Sequence, residues 1–136
     1  MAKFWATAVV VILGACSDPR TEQDLEGKYV ATFRGDTATL TLETNHKFSN
    51  VLYFKDGSSL KNEGTWRIVP PSAKRQITTV ELSGFSLLPS YCRSEAPFRP
   101  VRSGEWVTEV EWTWLGYLQL CFDSDVGYCY VKQSRS

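Results

Sequence analysis

The chain of 136 residues has a single histidine, a single methionine and no C-x-x-C pair among its four cysteines. These shortages exclude most metal-finger and thiol-redox arrangements, which need paired ligands at short spacing. No G-x-S-x-G, H-E-x-x-H, P-loop or dinucleotide-binding glycine fingerprint occurs, so the common signatures of hydrolases and nucleotide enzymes are missing. Charge of one sign is not in excess: 15 Lys and Arg face 15 Asp and Glu, for a formal net charge of +0. A nucleic-acid partner would call for a basic stripe, and none is present. There is no repeat, no low-complexity tract and no apolar run long enough to span a bilayer as a helix. No cofactor is implied.

What is present begins at the N-terminus. Met1-Ala2-Lys3 is a short positive segment, and Phe4 to Leu13 (FWATAVVVIL) is uncharged and apolar. Ten residues rise only about 15 Å as a helix, half of a hydrocarbon core of about 30 Å, which is the length of a signal-peptide core. Leu13-Gly14-Ala15-Cys16 follows it and resembles the lipobox of bacterial lipoproteins. That resemblance implies cleavage after Ala15, a diacylglyceryl thioether on Cys16 and an acyl chain on the new amino terminus. Two or more chains anchor a protein stably where one is marginal. Ser17, rather than Asp, follows the cysteine, which by the same resemblance implies a lipid-anchored protein of the cell envelope, at the outer membrane and facing the periplasm. The expected organisation is a signal peptide over 1–15, a lipidated cysteine and polar tether over 16–24, and one domain over 25–136.

From Leu25 the residues alternate as strands do. Leu25, Gly27, Tyr29, Ala31 and Phe33 share one face, and Ala38, Leu40 and Leu42 share the next. Thr44 to Lys47 turns the chain, and Phe48, Asn50, Leu52 and Phe54 continue the pattern up to a turn at Lys55 to Ser58. Gly64 to Ile68 and Ile77 to Leu82 give a fourth and a fifth strand. The stretch Gly84 to Gly104 breaks the rhythm with Pro89, Pro97, Pro100, Cys92, Arg93, Arg99 and Arg102. Structureless stretches of that length are uncommon in small domains and are often functional. Trp106, Val110, Trp112 and Trp114 then share a strand face against Glu109, Glu111 and Thr113, with a break at Gly116. Tyr117 to Asp123 and Tyr128 to Lys132 form a closing hairpin.

Short strands joined by tight turns, with no helical segment between them, predict an all-β antiparallel meander. Closing it into a barrel of about eight strands removes the edges that invite aggregation. Leu25-Glu26-Gly27-Lys28-Tyr29, then LTLETNHKFS over 40–49, then Gly64-Thr65-Trp66, is similar to the opening of the small lipocalin-like, calycin-like barrels of bacterial lipoproteins. The resemblance covers Leu25 to Ile68 and implies the same closed barrel. The copper-homeostasis members of that group carry a C-x-x-C that is missing here, so no copper-linked role follows.

Once Cys16 is assigned to lipid, Cys92, Cys121 and Cys129 remain, and the oxidising compartment favours one disulfide. A turn over Asp123 to Gly127 sets Cys121 opposite Cys129, with Cys92 as the competing partner. No metal site is expected. His46 falls in a turn, Asp123 and Asp125 fit ordinary turn chemistry, and Glu109 and Glu111 fit a solvated strand face better than a catalytic pair, so no catalytic residue is assigned. Trp66, Trp106, Trp112 and Trp114, with Tyr29, Phe48 and Phe54, are enough to fill a small barrel. The same aromatic residues could wall a cavity for a small apolar ligand, or join Arg93, Arg99 and Arg102 in a protein-binding rim. The leading expectation is a non-enzymatic, lipid-anchored barrel that binds a protein partner in the envelope, of the inhibitor, immunity or exclusion kind. The alternative is a carrier or sensor of a small apolar ligand.

Overall fold

Alternation with a period of two, interrupted by turn residues every seven or so positions, becomes eight antiparallel strands in the computed structural model, which describes residues 21–88 and 103–134. The strands are β1 (Gly27–Phe33), β2 (Asp36–Leu42), β3 (Lys47–Tyr53), β4 (Ser59–Val69), β5 (Thr79–Phe85), β6 (Gly104–Trp112), β7 (Leu118–Asp123) and β8 (Tyr128–Lys132). Each pairs with its neighbour in sequence, and β8 returns to β1 through Tyr29↔Lys132 and Val30↔Val131, so the sheet is a closed barrel in simple up-and-down order. The expected fold class therefore stands, and the architecture is compatible with a lipocalin-like barrel.

Inward-facing positions follow from the register. Leu40 lies opposite Tyr29 and Asn50, Asn50 opposite Asn62, and Trp66 opposite Leu82. Tyr29, Leu40, Phe48, Leu52, Leu82, Leu120 and Tyr130 are buried in one core. Burying each such side chain contributes about 1.5–3 kcal/mol. Aromatic rings of Phe85, Phe122, Tyr128 and Tyr130 meet at 4.9–5.9 Å between centroids, in edge-on, tilted or stacked pairs.

Several expectations need correction. The aromatic filling of the core is not the tryptophan set. Trp66 is buried, but Trp106 and Trp112 are 37% and 48% exposed, and Trp114 is 92% exposed. β6 ends at Trp112, and Trp114 sits in the turn after it, where the face defined by alternation no longer exists. In place of the tryptophans, the chain fills the barrel with residues that looked like the start of a loop. Phe85 completes β5, and Ser86, Leu87 and Leu88 are buried. β4 begins five residues earlier than Gly64, at Ser59, and β5 begins at Thr79 rather than Ile77. At the other terminus, Glu22–Leu25 is one helical turn, α1, so the tether as read includes three helical residues and Leu25 is the buried end of a helix rather than a strand position. Thr21 caps it: its backbone N–H and hydroxyl both donate to Asp24 Oδ2, at 3.2 and 2.8 Å.

Candidate functional site

Because every strand runs antiparallel to the next, the barrel has two ends with different contents. α1, the β2–β3 turn, the 70–78 connection and the β6–β7 turn lie at one end, with the end of β8. The β1–β2, β3–β4 and β7–β8 turns and the β5–β6 connection lie at the other. The candidate binding tryptophans are divided between them. Trp106, the third residue of β6, lies towards the β5–β6 connection with its ring edge-on to Phe122 at 6.4 Å. Trp112 and Trp114 lie at the α1 end.

The inner face below the β5–β6 connection is polar and occupied. Asn50 Nδ2 donates to Ser86 O at 3.1 Å, and Ser86 N–H donates to Asn62 Oδ1 at 3.2 Å. Leu88 N–H donates to the Tyr128 hydroxyl at 3.0 Å, which lies 3.4 Å from the Tyr130 hydroxyl. The 86–88 segment thus runs across the inner wall, tied by its backbone to β3, β4 and β8. This plug was not legible in the sequence, although the apolar run Phe85-Ser86-Leu87-Leu88 ahead of Pro89 was a signal for it. Burial pushes the Tyr130 phenol well above its ordinary value, with the Tyr128 hydroxyl adding to the effect and the Asn50 amide opposing it. Tyr29 is likewise raised by burial, and its hydroxyl donates to Leu25 O at 2.5 Å. Neither phenol is poised for acid–base work near neutral pH.

A half-open groove of about 660 Å³ lies on the β4–β5–β6 wall, reaching from His46 and Trp66 to Trp106 and Val107. Arg67 is ion-paired with Glu81 across it, its Nε donating at 2.5 Å, and Ser83 Oγ donates to Glu105 Oε1 at 3.2 Å. An apolar rim of Trp106 and Val107 beside paired charges suits a polar protein surface better than an apolar small molecule.

The remaining candidates fall as follows. His46 occupies the β2–β3 turn with φ of 61°, exposed, with Nε2 3.3 Å from Glu22 Oε2. Glu109 is exposed, and Glu111 accepts from Gln119 Nε2 at 3.1 Å. Asp123 Oδ1 accepts from Val126 N–H at 3.4 Å, as a turn residue does, and Asp125 is exposed in the same turn. Among the described residues, no three His, Cys, Asp or Glu side chains gather as a metal site. Cys121 and Cys129 are opposite each other in register and form a disulfide, with Cα atoms 4.1 Å apart. Cys16, Cys92, Arg93, Arg99 and Arg102 lie outside the described residues. No family model matches the chain, and neither a curated protein nor a solved structure matches it.

Proposed function

We propose that the chain is a lipid-anchored domain of the bacterial cell envelope that acts by binding a protein partner on the outside of its barrel. Cleavage after Ala15 and lipid on Cys16 would hold it at the outer membrane, facing the periplasm. The observation that carries the binding mode is the filled inner wall. Ser86 is held by Asn50 and Asn62, and Leu87 and Leu88 are buried behind it. Inner wall that a carrier barrel would turn towards an apolar ligand is here lined by the chain's own 86–88 segment, which favours the binding reading over the carrier one. Recognition is then left to the exterior and the rim: the β4–β6 groove lies on the wall, and Trp106, in the inward row of Trp66 and Leu82, is part-exposed at the end that leads into the β5–β6 connection carrying Arg93, Arg99 and Arg102.

The test is co-purification from gently solubilised envelopes. We expect a protein retained by the wild-type chain to be lost on Trp106→Ala and on deletion of residues 90–102, with the barrel still folded. Retention of every partner by both variants sinks the proposal.

A further inference from the structure

The β6–β7 tip is built as a rigid projection of apolar side chains. Thr113 N–H donates to Tyr117 O at 2.7 Å, Gly116 N–H donates to Thr113 O at 2.9 Å, and Tyr117 N–H donates to Thr113 Oγ1 at 2.9 Å. Gly116 takes a φ of 83°, which a side chain would resist, and closes the turn. Held this way, Trp114 and Leu115 are 92% and 61% exposed, and Trp112 and Tyr117 are both about half exposed. The segment Trp112-Thr113-Trp114-Leu115-Gly116-Tyr117 contains no charge. An ordered turn that holds two tryptophans and a leucine in water is unfavourable unless something covers them.

The neighbouring 70–78 connection projects from the same end. Ser72 and Arg75 pair through their backbones, at 2.7 and 3.1 Å, and Thr78 O accepts from Val110 N–H at 3.0 Å, which ties the connection to β6. It leaves Ile77 exposed and carries exposed Lys74 and Arg75. Three acidic groups at this end are engaged within the chain: Glu22 faces His46, Asp24 caps α1 and Glu111 accepts from Gln119, while Glu26 and Glu43 lie beside α1 and the β2–β3 turn, on other elements than the tip. Tryptophan and tyrosine beside lysine and arginine is the composition that settles at the boundary between lipid headgroups and acyl chains.

Topology supplies the occupant. Only Glu26 separates α1 from the first residue of β1, so the chain enters the barrel at this same end. Four residues separate Cys16 from Thr21, and the five backbone steps from one to the other span at most about 18 Å. We infer that the Trp112–Tyr117 turn is a second membrane contact, seated in the headgroup boundary of the bilayer that holds the lipid on Cys16. This inference rests on the lipid-anchor reading above. Two contacts at one end fix the direction of the barrel, with the Trp106 end turned away from the membrane and towards a partner.

The experiment uses the processed, full-length protein in vesicles of phosphatidylethanolamine with phosphatidylglycerol. Acyl-chain-brominated lipid should quench part of the tryptophan emission, and that quenching should fall several-fold in Trp114→Phe and in Trp112→Phe/Trp114→Phe. Aqueous iodide should gain access to Trp114 only when the vesicles are removed. An unchanged unfolding midpoint in the variants confirms that the exposed turn was altered without loss of fold. Iodide reaching Trp114 equally in bound protein overturns the inference, and so does protection from iodide without bromine quenching, which indicates cover by protein. The mass of the processed chain separates the two readings. A lipidated Cys16 with an iodide-open Trp114 sinks the turn contact alone. An unmodified Cys16 with a bromine-quenched Trp114 sinks the anchor and leaves the turn contact standing.

Discussion

Asn50 and Asn62 stand opposite each other on the inner faces of β3 and β4 and hold the carbonyl and the N–H of Ser86 between them. Each asparagine has one amide atom on Ser86 and its other amide atom, Asn50 Oδ1 and Asn62 Nδ2, without a protein partner. Two polar side chains inside a small barrel are unfavourable unless they do something the apolar core cannot. Here they satisfy a backbone that has to cross the interior, where unpaired peptide groups are costly.

Asn50→Ala should therefore lower stability by about 1–3 kcal/mol, the usual consequence of stranding a buried polar group. Asn50→Asp should be worse at neutral pH, because it replaces a donor by a charge facing the Ser86 carbonyl. It should partly recover as the pH falls and the carboxyl protonates. Urea unfolding followed by tryptophan emission measures both. A change under about 0.5 kcal/mol in Asn50→Ala would show that the 86–88 segment is held by other means.

Gly64 is the closest approach in the wall. A Cβ there would lie 1.9 Å from Ser83 O and under 3 Å from the Phe48 ring. The ring is boxed in by Phe85 at 5.7 Å, so it has little freedom to move aside. Gly64→Ala should cost more than about 3 kcal/mol, beyond ordinary overpacking, because backbone of β5 has to shift. Gly57→Ala is the contrast. It meets nothing within 4 Å and bears only the strain of a φ of 87°, so about 1 kcal/mol is expected. Equal losses in the two variants would contradict the wall geometry.

The strands β1 to β3 were legible because inside and outside alternate cleanly there and because Gly35, Asn45 and Asp56-Gly57 mark the turns. β4 was only half legible. Its first residues, Ser59 to Glu63, place Asn62 inward, and the reason for a polar inward residue is Ser86, 24 positions away. The same long-range partnership hid the plug, since Gly84 and Pro89 suggested a loop while Phe85, Leu87 and Leu88 supplied core. The tryptophans failed for a different reason. Alternation tells which residues share a face, but not where a strand stops or which end of the barrel it stops at. Trp106 and Trp114 therefore looked equivalent, and hairpin connectivity sends them to opposite ends.

Tyr29 and Tyr130 give the domain an alkaline limit. Both phenols are raised above their ordinary value by burial in the folded chain, whereas in the unfolded chain they titrate near pH 10. The unfolded state therefore loses protons first as the pH rises. Stability from these groups is fully present below about pH 10 and is lost above it. Tyr29→Phe should lose about 1 kcal/mol at neutral pH, through the hydrogen bond to Leu25 O. It should also decline less steeply than wild type in alkali, so the two stability curves converge. Parallel curves between pH 8 and about pH 11.5 would remove the buried-phenol explanation.

The Cys121–Cys129 bridge acts on the weakest seam of the barrel. It closes a short chain loop of eight residues' separation, for which loop-closure entropy gives about 2.5 kcal/mol. β8 is also the strand that closes the barrel, and it meets β1 through only two register pairs, Tyr29↔Lys132 and Val30↔Val131. Two further bonds support that seam: Gln133 N–H, just past the strand, donates to Lys28 O at 2.8 Å, and the side chain of Lys132, the last residue of β8, donates through Nζ to Asp24 O. Replacing both cysteines by alanine should therefore do more than lower the unfolding midpoint. Amide exchange should quicken at Tyr130 and Lys132 before it changes at Leu40 or Leu52, because β8 can part from β1 while β1 to β4 stay paired. Uniform quickening through all eight strands would mean that the barrel opens only as a whole, and that the bridge stabilises it without guarding the seam.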